Sequence, residues 1–160
     1  MKKLFKKGVV VGKFYPPHKG HHYLINTAIK NVDELTVIVC AKKEEFIPGE
    51  KRVAWLKEIH PQAKVIMAND NIPENQSEEN YSKAWADYTI ELLGHTPDIA
   101  FTSEEYGERW AKYMGCKHQL VDIKRKTIPC SGTLVRSNPL KYLDYLEPCV
   151  KEYFIKKYAY

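Results

Sequence analysis

What is missing from these 160 residues narrows the field first. Four cysteines (Cys40, Cys116, Cys130 and Cys149) stand far apart, with no CxxC and no Cys/His pair at zinc-like spacing. They read as reduced thiols, and Cys40 and Cys130, set in apolar runs, as small core residues. No stretch approaches the roughly 20 apolar residues of a membrane span. The start is basic, with Lys2, Lys3, Lys6 and Lys7, but the apolar run behind it is too short for a secretory signal and ends in a histidine-rich turn. The expected location is therefore cytoplasmic, with no membrane partner. Charge of one sign is not concentrated anywhere: 25 Lys and Arg are interleaved with 20 Asp and Glu, for a net charge of +5. Nucleic-acid binding calls for a basic stripe, so none is expected, and a pocket for polyphosphate on a solvated surface explains the charge. No repeat, low-complexity tract or linker interrupts the chain. One domain over residues 1–160 is expected, with 131–160 as its helical C-terminal portion.

What is there is an alternation of short apolar runs with amphipathic stretches. Strands are predicted at 8–12, 34–41, 63–68, 98–102 and 118–123, and helices at 19–30, 49–59, 80–93 and 106–114. After Ser131 the pattern is helical to the end, with Pro139 at a helix start behind Asn138 as cap. Strands alternating with helices imply right-handed crossovers and a parallel sheet covered on both faces. The fold class is α/β, a Rossmann-like five-stranded domain with ligands at the carboxyl ends of the strands. The polar loops at 42–48 and 69–79 are long enough to cover a site.

The chemistry concentrates where the first strand ends, in Gly12-Lys13-Phe14-Tyr15-Pro16-Pro17-His18-Lys19-Gly20-His21. Strand, turn and helix N-terminus in that order bring unpaired N–H groups and a positive dipole end to one spot. Gly12 lets the backbone approach a ligand, and Pro16 and Pro17 fix the turn without needing N–H partners. His18 and His21, three apart, present their rings on one side of the helix start, and Gly20 leaves space for a phosphate. Lys19 and His22 read as solvated helix residues.

This segment resembles the HxGH signature of the nucleotidylyltransferase superfamily, which transfers a nucleotide from a nucleoside triphosphate to an acceptor phosphate. Ile128-Pro129-Cys130-Ser131-Gly132-Thr133-Leu134-Val135-Arg136 resembles its second signature, ISxTxxR. There Ser131 can cap a helix and donate to a phosphate that Arg136 also reaches. The resemblance implies catalytic roles for His18, His21, Lys13 and Arg136. It implies contacts of ATP and its phosphates with Gly12, Phe14, Gly20, Ser131, Gly132 and Thr133. Mg²⁺ is expected as cofactor, bound mainly through the ATP phosphates, so no residue is assigned as a metal ligand.

Three further stretches, 102–106, 120–125 and 136–145, resemble the NadR-type nicotinamide mononucleotide (NMN) adenylyltransferases, and the likeness covers nearly the whole chain. Residues 80–85 resemble the segment where that group sets a tryptophan against nicotinamide. The resemblance implies NMN contacts by Trp85, Asn80 and Arg52, ATP and NMN as substrates and NAD as product. An indole face suits a flat cationic ring by stacking and cation–π attraction of ~1–2 kcal/mol. On helical spacing alone, Trp85 also reads as core beside Ala84, Tyr88 and Leu92, and Arg52 as an exposed helix residue. Trp55 and Trp110 read as packing residues. No G-x-x-x-x-G-K-[ST] loop occurs, so the kinase part of NadR-type proteins is not expected, nor is their DNA-binding part. Other acceptors, phosphopantetheine or FMN, remain open, as do a non-catalytic NAD- or ATP-sensing role and a homo-oligomeric state.

Overall fold

Val9, Val10 and Val11 carry β-branched side chains to alternate faces of a pleat, the pattern of a strand buried on both sides. In the computed structural model, which describes residues 3–159, they lie in β1 (Phe5–Gly12). The elements then follow as α1 (Lys19–Asn31), β2 (Val32–Ala41), α2 (Gly49–Ile59), β3 (Lys64–Asn69) and α3 (Glu78–Leu93). After them come β4 (Ile99–Thr102), α4 (Tyr106–Met114), β5 (Lys117–Leu120), α5 (Gly132–Ser137), a 3₁₀ turn (Leu143–Tyr145) and α6 (Pro148–Tyr158). All four strand pairings are parallel, in the order β3-β2-β1-β4-β5, which gives the expected Rossmann-like α/β sheet. The chain starts at the centre, winds outward to β3, then crosses back to β4. The reversal therefore falls between β1 and β4, where a crevice opens at the strands' carboxyl ends.

Alternation along the strands builds two cores. Val10, Val37 and Val39 face α1 and α2, packing on Leu24, Ile25, Ala28 and Leu56. Val9, Ile38 and Ala100 face α3 and α4, packing on Ala86, Trp110, Ala111 and Met114. A third cluster fastens the C-terminal part: Val135, Leu146, Val150 and Phe154 close over Ile47, Trp55 and Cys130. Cys40 and Cys130 are buried, and all four cysteines are free thiols. Among the described residues, no helix is long and apolar enough to cross a membrane.

Most boundaries fall within two residues of expectation, and three larger departures each have a local reason. β1 begins at Phe5 because residues 5–7 pair with the start of β2, Phe5 with Val32 and Lys7 with Glu34, although their lysines hide the strand pattern. β5 stops at Leu120 because Asp122 adopts φ 49° and its carboxylate accepts the backbone N–H groups of Lys126, Thr127 and Ile128, all at 2.9 Å. Pro139 does not start a helix. Asn138 instead closes α5 by donating its N–H to the Leu134 carbonyl, and the proline that starts a helix is Pro148, behind Glu147.

Candidate active site

The turn after β1 is held in an uncommon conformation from two sides. Phe14 takes φ 50°, a left-handed value that costs a non-glycine residue free energy unless its surroundings impose it. Here they do. Arg52 donates from Nη1 to the Lys13 carbonyl at 3.0 Å, and Arg136 donates from Nη1 to the Tyr15 carbonyl. The buried Phe14 ring meets His21 edge-on, with centroids 4.8 Å apart. The Tyr15–Pro16 peptide bond is cis.

His18 is the N-cap of α1, and it forms a reciprocal capping box with His21. His18 Nδ1 accepts the Gly20 N–H at 3.0 Å, and His21 Nδ1 accepts the His18 N–H at 3.1 Å. A ring nitrogen that accepts carries no proton, so each neutral imidazole bears its hydrogen on Nε2. The rings stack with centroids 3.8 Å apart, so the two imidazoles lie side by side at the start of α1. The His18 pKa is lowered to about 3 by burial and then by the Arg125 charge. His21 is lowered well below the usual imidazole value, first by burial, then by His18, His22 and Arg125. Both rings are thus neutral donors here. Gly20 is required by proximity, since a Cβ there would come within 2.8 Å of His18 Cε1. Part of the free N–H array expected at this helix start is taken by the His18 ring itself.

The second motif folds onto the first across 121 residues. Ser131 caps α5 by accepting the Leu134 N–H at 3.1 Å. The Arg136 guanidinium lies over the Tyr15 ring at 4.5 Å, with Nη2 3.4 Å from Thr133 Oγ1. Gly132 permits the approach, because a Cβ would sit 2.7 Å from the Tyr15 carbonyl oxygen. Beside them stands a cation not singled out from the sequence. Arg125 donates to the Cys130 carbonyl at 2.9 Å and to Glu104 at 3.1 Å, and its charge acts on both histidines. Its signal in the sequence is its place in the 120–125 stretch that resembles the NadR-type proteins, where it carries no assigned role.

On the α3 and α4 side of the crevice lies a cavity of about 770 Å³, bordered by Gly12, Lys13, Cys40, Asp70, Tyr81 and Trp85. Trp85 is half-buried, with Tyr88 at 5.8 Å and Tyr81 at 6.5 Å between ring centroids. Trp110 also reaches this cavity, while Trp55 packs in the C-terminal cluster. Lys13 projects half-exposed from the end of β1, 3.7 Å from Glu45.

Three readings need correction. Arg52 is not an exposed helix residue: it is fully buried. Its guanidinium bonds to the Ile47 and Lys13 carbonyls and to Glu45, and lies 4.8 Å from the Tyr15 ring centroid. That leaves it committed to protein rather than aimed into the cavity. Asn80 is exposed on the first turn of α3, and it is not among the residues that border the cavity. His22 is not solvated: it is buried, with Nδ1 2.8 Å from His60 Nε2.

A parallel sheet with a histidine-bearing turn at its switch point and a cavity of mixed polar and apolar lining beside it has the layout of the nucleotide-binding α/β domains. Within that class the chain belongs to the cytidylyltransferase-like family, which matches residues 9–138, and so to the nucleotidyltransferase superfamily. It is 31% identical to the trifunctional NAD biosynthesis/regulator protein NadR of Escherichia coli over 173 aligned residues, covering 95% of this chain and 41% of NadR. It is 39% identical to the nicotinamide-nucleotide adenylyltransferase of Pyrobaculum neutrophilum, over 39% of this chain and 38% of that protein. A crystal structure of NadR in complex with NAD and AMP-PNP superposes with a TM-score of 0.66 at 27% identity, covering 90% of this chain and 46% of that one. The chain thus spans about two fifths of the NadR length.

Proposed function

We propose that this domain is an NMN adenylyltransferase, converting ATP, as its Mg²⁺ complex, and NMN into NAD and pyrophosphate. The observation that carries the reading is that one turn links three parts: Gly12 and Lys13 border the cavity that holds Trp85, Tyr15 accepts from Arg136 of the second motif, and His18 and His21 stack at the start of α1. The adenylyltransferase relatives support the same choice of acceptor.

A phosphate monoester has its second pKa near 6, so the NMN phosphate arrives largely ionised and needs no general base. An oxygen of that phosphate attacks the α-phosphorus in line, the bond from the α-phosphorus to the β-bridging oxygen breaks, and pyrophosphate leaves. Positioning and charge neutralisation remain as the protein's task. The Nε2–H groups of His18 and His21 donate to the triphosphate, His21 nearest the α-phosphate. Lys13, loosely held by Glu45, turns to the phosphates, and Ser131, Thr133 and Arg136 hold the leaving pyrophosphate. Trp85 stacks on the cationic pyridinium.

A pyrophosphate-release assay tests this, with ATP or CTP against NMN, phosphopantetheine and FMN. Release with ATP and NMN is expected. Tight NAD binding with no pyrophosphate release would make the domain a sensor, and release only with another acceptor would reassign it.

A further inference from the structure

Asp70 follows β3 directly, and its backbone N–H donates to the Ala41 carbonyl at 3.0 Å, continuing the parallel pairing past the strand. The residue is thereby fixed at the carboxyl edge of the sheet, where it borders the cavity together with Lys13 and Trp85. Its carboxylate is poorly supplied with partners. Oδ1 is buried and, among the described residues, meets no hydrogen-bond donor. The two lysines that act on it through space are engaged elsewhere, Lys42 with Glu74 at 3.0 Å and Lys13 with Glu45 at 3.7 Å. Burial outweighs their attraction and raises the Asp70 pKa above the usual carboxylate value.

A buried acceptor without a donor is costly, and a fold tolerates it where a ligand completes it. The terminal torsion of an aspartate is broad, so a small turn of the carboxylate carries an oxygen toward the cavity. A carboxylate only accepts hydrogen bonds, and its charge suits a cationic ring.

We infer that Asp70 positions and selects the acceptor nucleotide, its carboxylate accepting a hydrogen bond from an N–H or O–H group of the ligand in this cavity. The inference rests on the cavity being the acceptor site proposed above. On NMN two groups supply that chemistry, the carboxamide and the ribose hydroxyls. An acceptor with an acid in place of the amide sets like charges together if the carboxamide is the partner.

Calorimetric titration with NMN and with nicotinate mononucleotide reads this without turnover, on the wild type, Asp70→Asn and Asp70→Ala. A charge-assisted hydrogen bond predicts that NMN binds each variant at least about 10-fold more weakly. The melting temperature should hold or rise, because an unpartnered buried carboxylate contributes no stability. Loss for NMN but not for the acid identifies the carboxamide as partner, and equal loss for both identifies the ribose. Unchanged NMN affinity in both variants, or weaker affinity only alongside a lower melting temperature, overturns the inference. Wild-type protein that binds NMN yet releases no pyrophosphate sinks the proposed reaction and leaves the role of Asp70 standing. Wild-type protein that does not bind NMN sinks both.

Discussion

At the scale of single residues, the two histidines of the first turn owe their chemistry to each other. His18 and His21 each spend Nδ1 on a backbone N–H, so the free end of both rings is an Nε2–H donor, and burial keeps both rings neutral. A neutral donor stabilises charge that builds on a phosphoryl oxygen without taking or giving a proton. Replacing His21 with Ala removes one such donor and should lower kcat by at least ~100-fold, as loss of a transition-state hydrogen bond does. Far-UV circular dichroism should stay unchanged, because His18 still caps α1 through Gly20. Near wild-type turnover in His21→Ala would remove His21 from the mechanism. The neighbouring His22 shows how sharply position decides role. One further residue along a helix turns the side chain by roughly 100 degrees. His22 therefore leaves the phosphate side and joins His60 in the interior.

At the scale of elements, Arg52 pins α2 to the turn after β1 and to the loop that precedes α2. Its guanidinium joins the Ile47 carbonyl, the Lys13 carbonyl and the Glu45 carboxylate in one fully buried place. Arg52→Ala leaves the nearly buried Glu45 without its main cation and two carbonyls without donors. The loss expected on breaking a buried pair is about 3–5 kcal/mol, read as a shifted urea midpoint. Arg52→Lys should recover only part of it, since a single ammonium nitrogen does not span acceptors that Arg52 reaches from Nε, Nη1 and Nη2. A midpoint unchanged by Arg52→Ala would show that the turn holds itself. Nothing in the chain announced this role, because an arginine beside Glu50 and Lys51 on an amphipathic helix looks solvated. Elements with strong periodicity were legible: α2 and α4 fall where expected, and α3 and α4 end at Gly94 and Gly115. What escaped depends on contacts distant in sequence. Lys6 and Lys7 become strand because β2 offers pairing, and Asp122 ends β5 by gathering N–H groups from the loop that follows. Of the candidate site, local motifs pointed to His18, His21 and Ser131; Asp70 enters through tertiary placement alone, and Arg125, inside a stretch that resembles the family, owes its place beside the histidines to the tertiary fold.

At the scale of the whole molecule, the histidines set the pH dependence of stability. Burial is the first cause that lowers the pKa in each of five of the six: His18 and His22 to about 3, His60 to about 4, and His21 and His118 by direction. In the unfolded chain these imidazoles take up protons near 6.5, whereas the native ones refuse them until the pH is far lower. Between those limits the unfolded state binds more protons, so the free energy of unfolding falls as the pH falls. The loss is absent above about pH 7 and grows below 6.5, by about 2 kcal/mol per fully shifted histidine between pH 7 and pH 5. Among the carboxylates, Glu45 is held below its usual value, against its burial, by the Lys42 N–H and Arg52, and Asp122 by backbone N–H groups, so both lose their contribution only at more acid pH. Asp70, raised by burial, works in the opposite sense to the histidines. The unfolding free energy read from urea titrations should therefore be lower at pH 5 than at pH 7 by several kcal/mol in wild type. The His22–His60 pair isolates the cause, because it lies in the interior and is not among the residues proposed to contact phosphate. With both replaced by Leu, the difference between the two pH values should shrink by about the share of two histidines, whatever the absolute stability of the variant. The reason is that two proton-refusing groups have left the native state. A wild-type stability that is flat or rising from pH 7 to pH 5 would mean that these rings protonate in place, and the buried histidine pair would then be no acid-sensitive element of the fold.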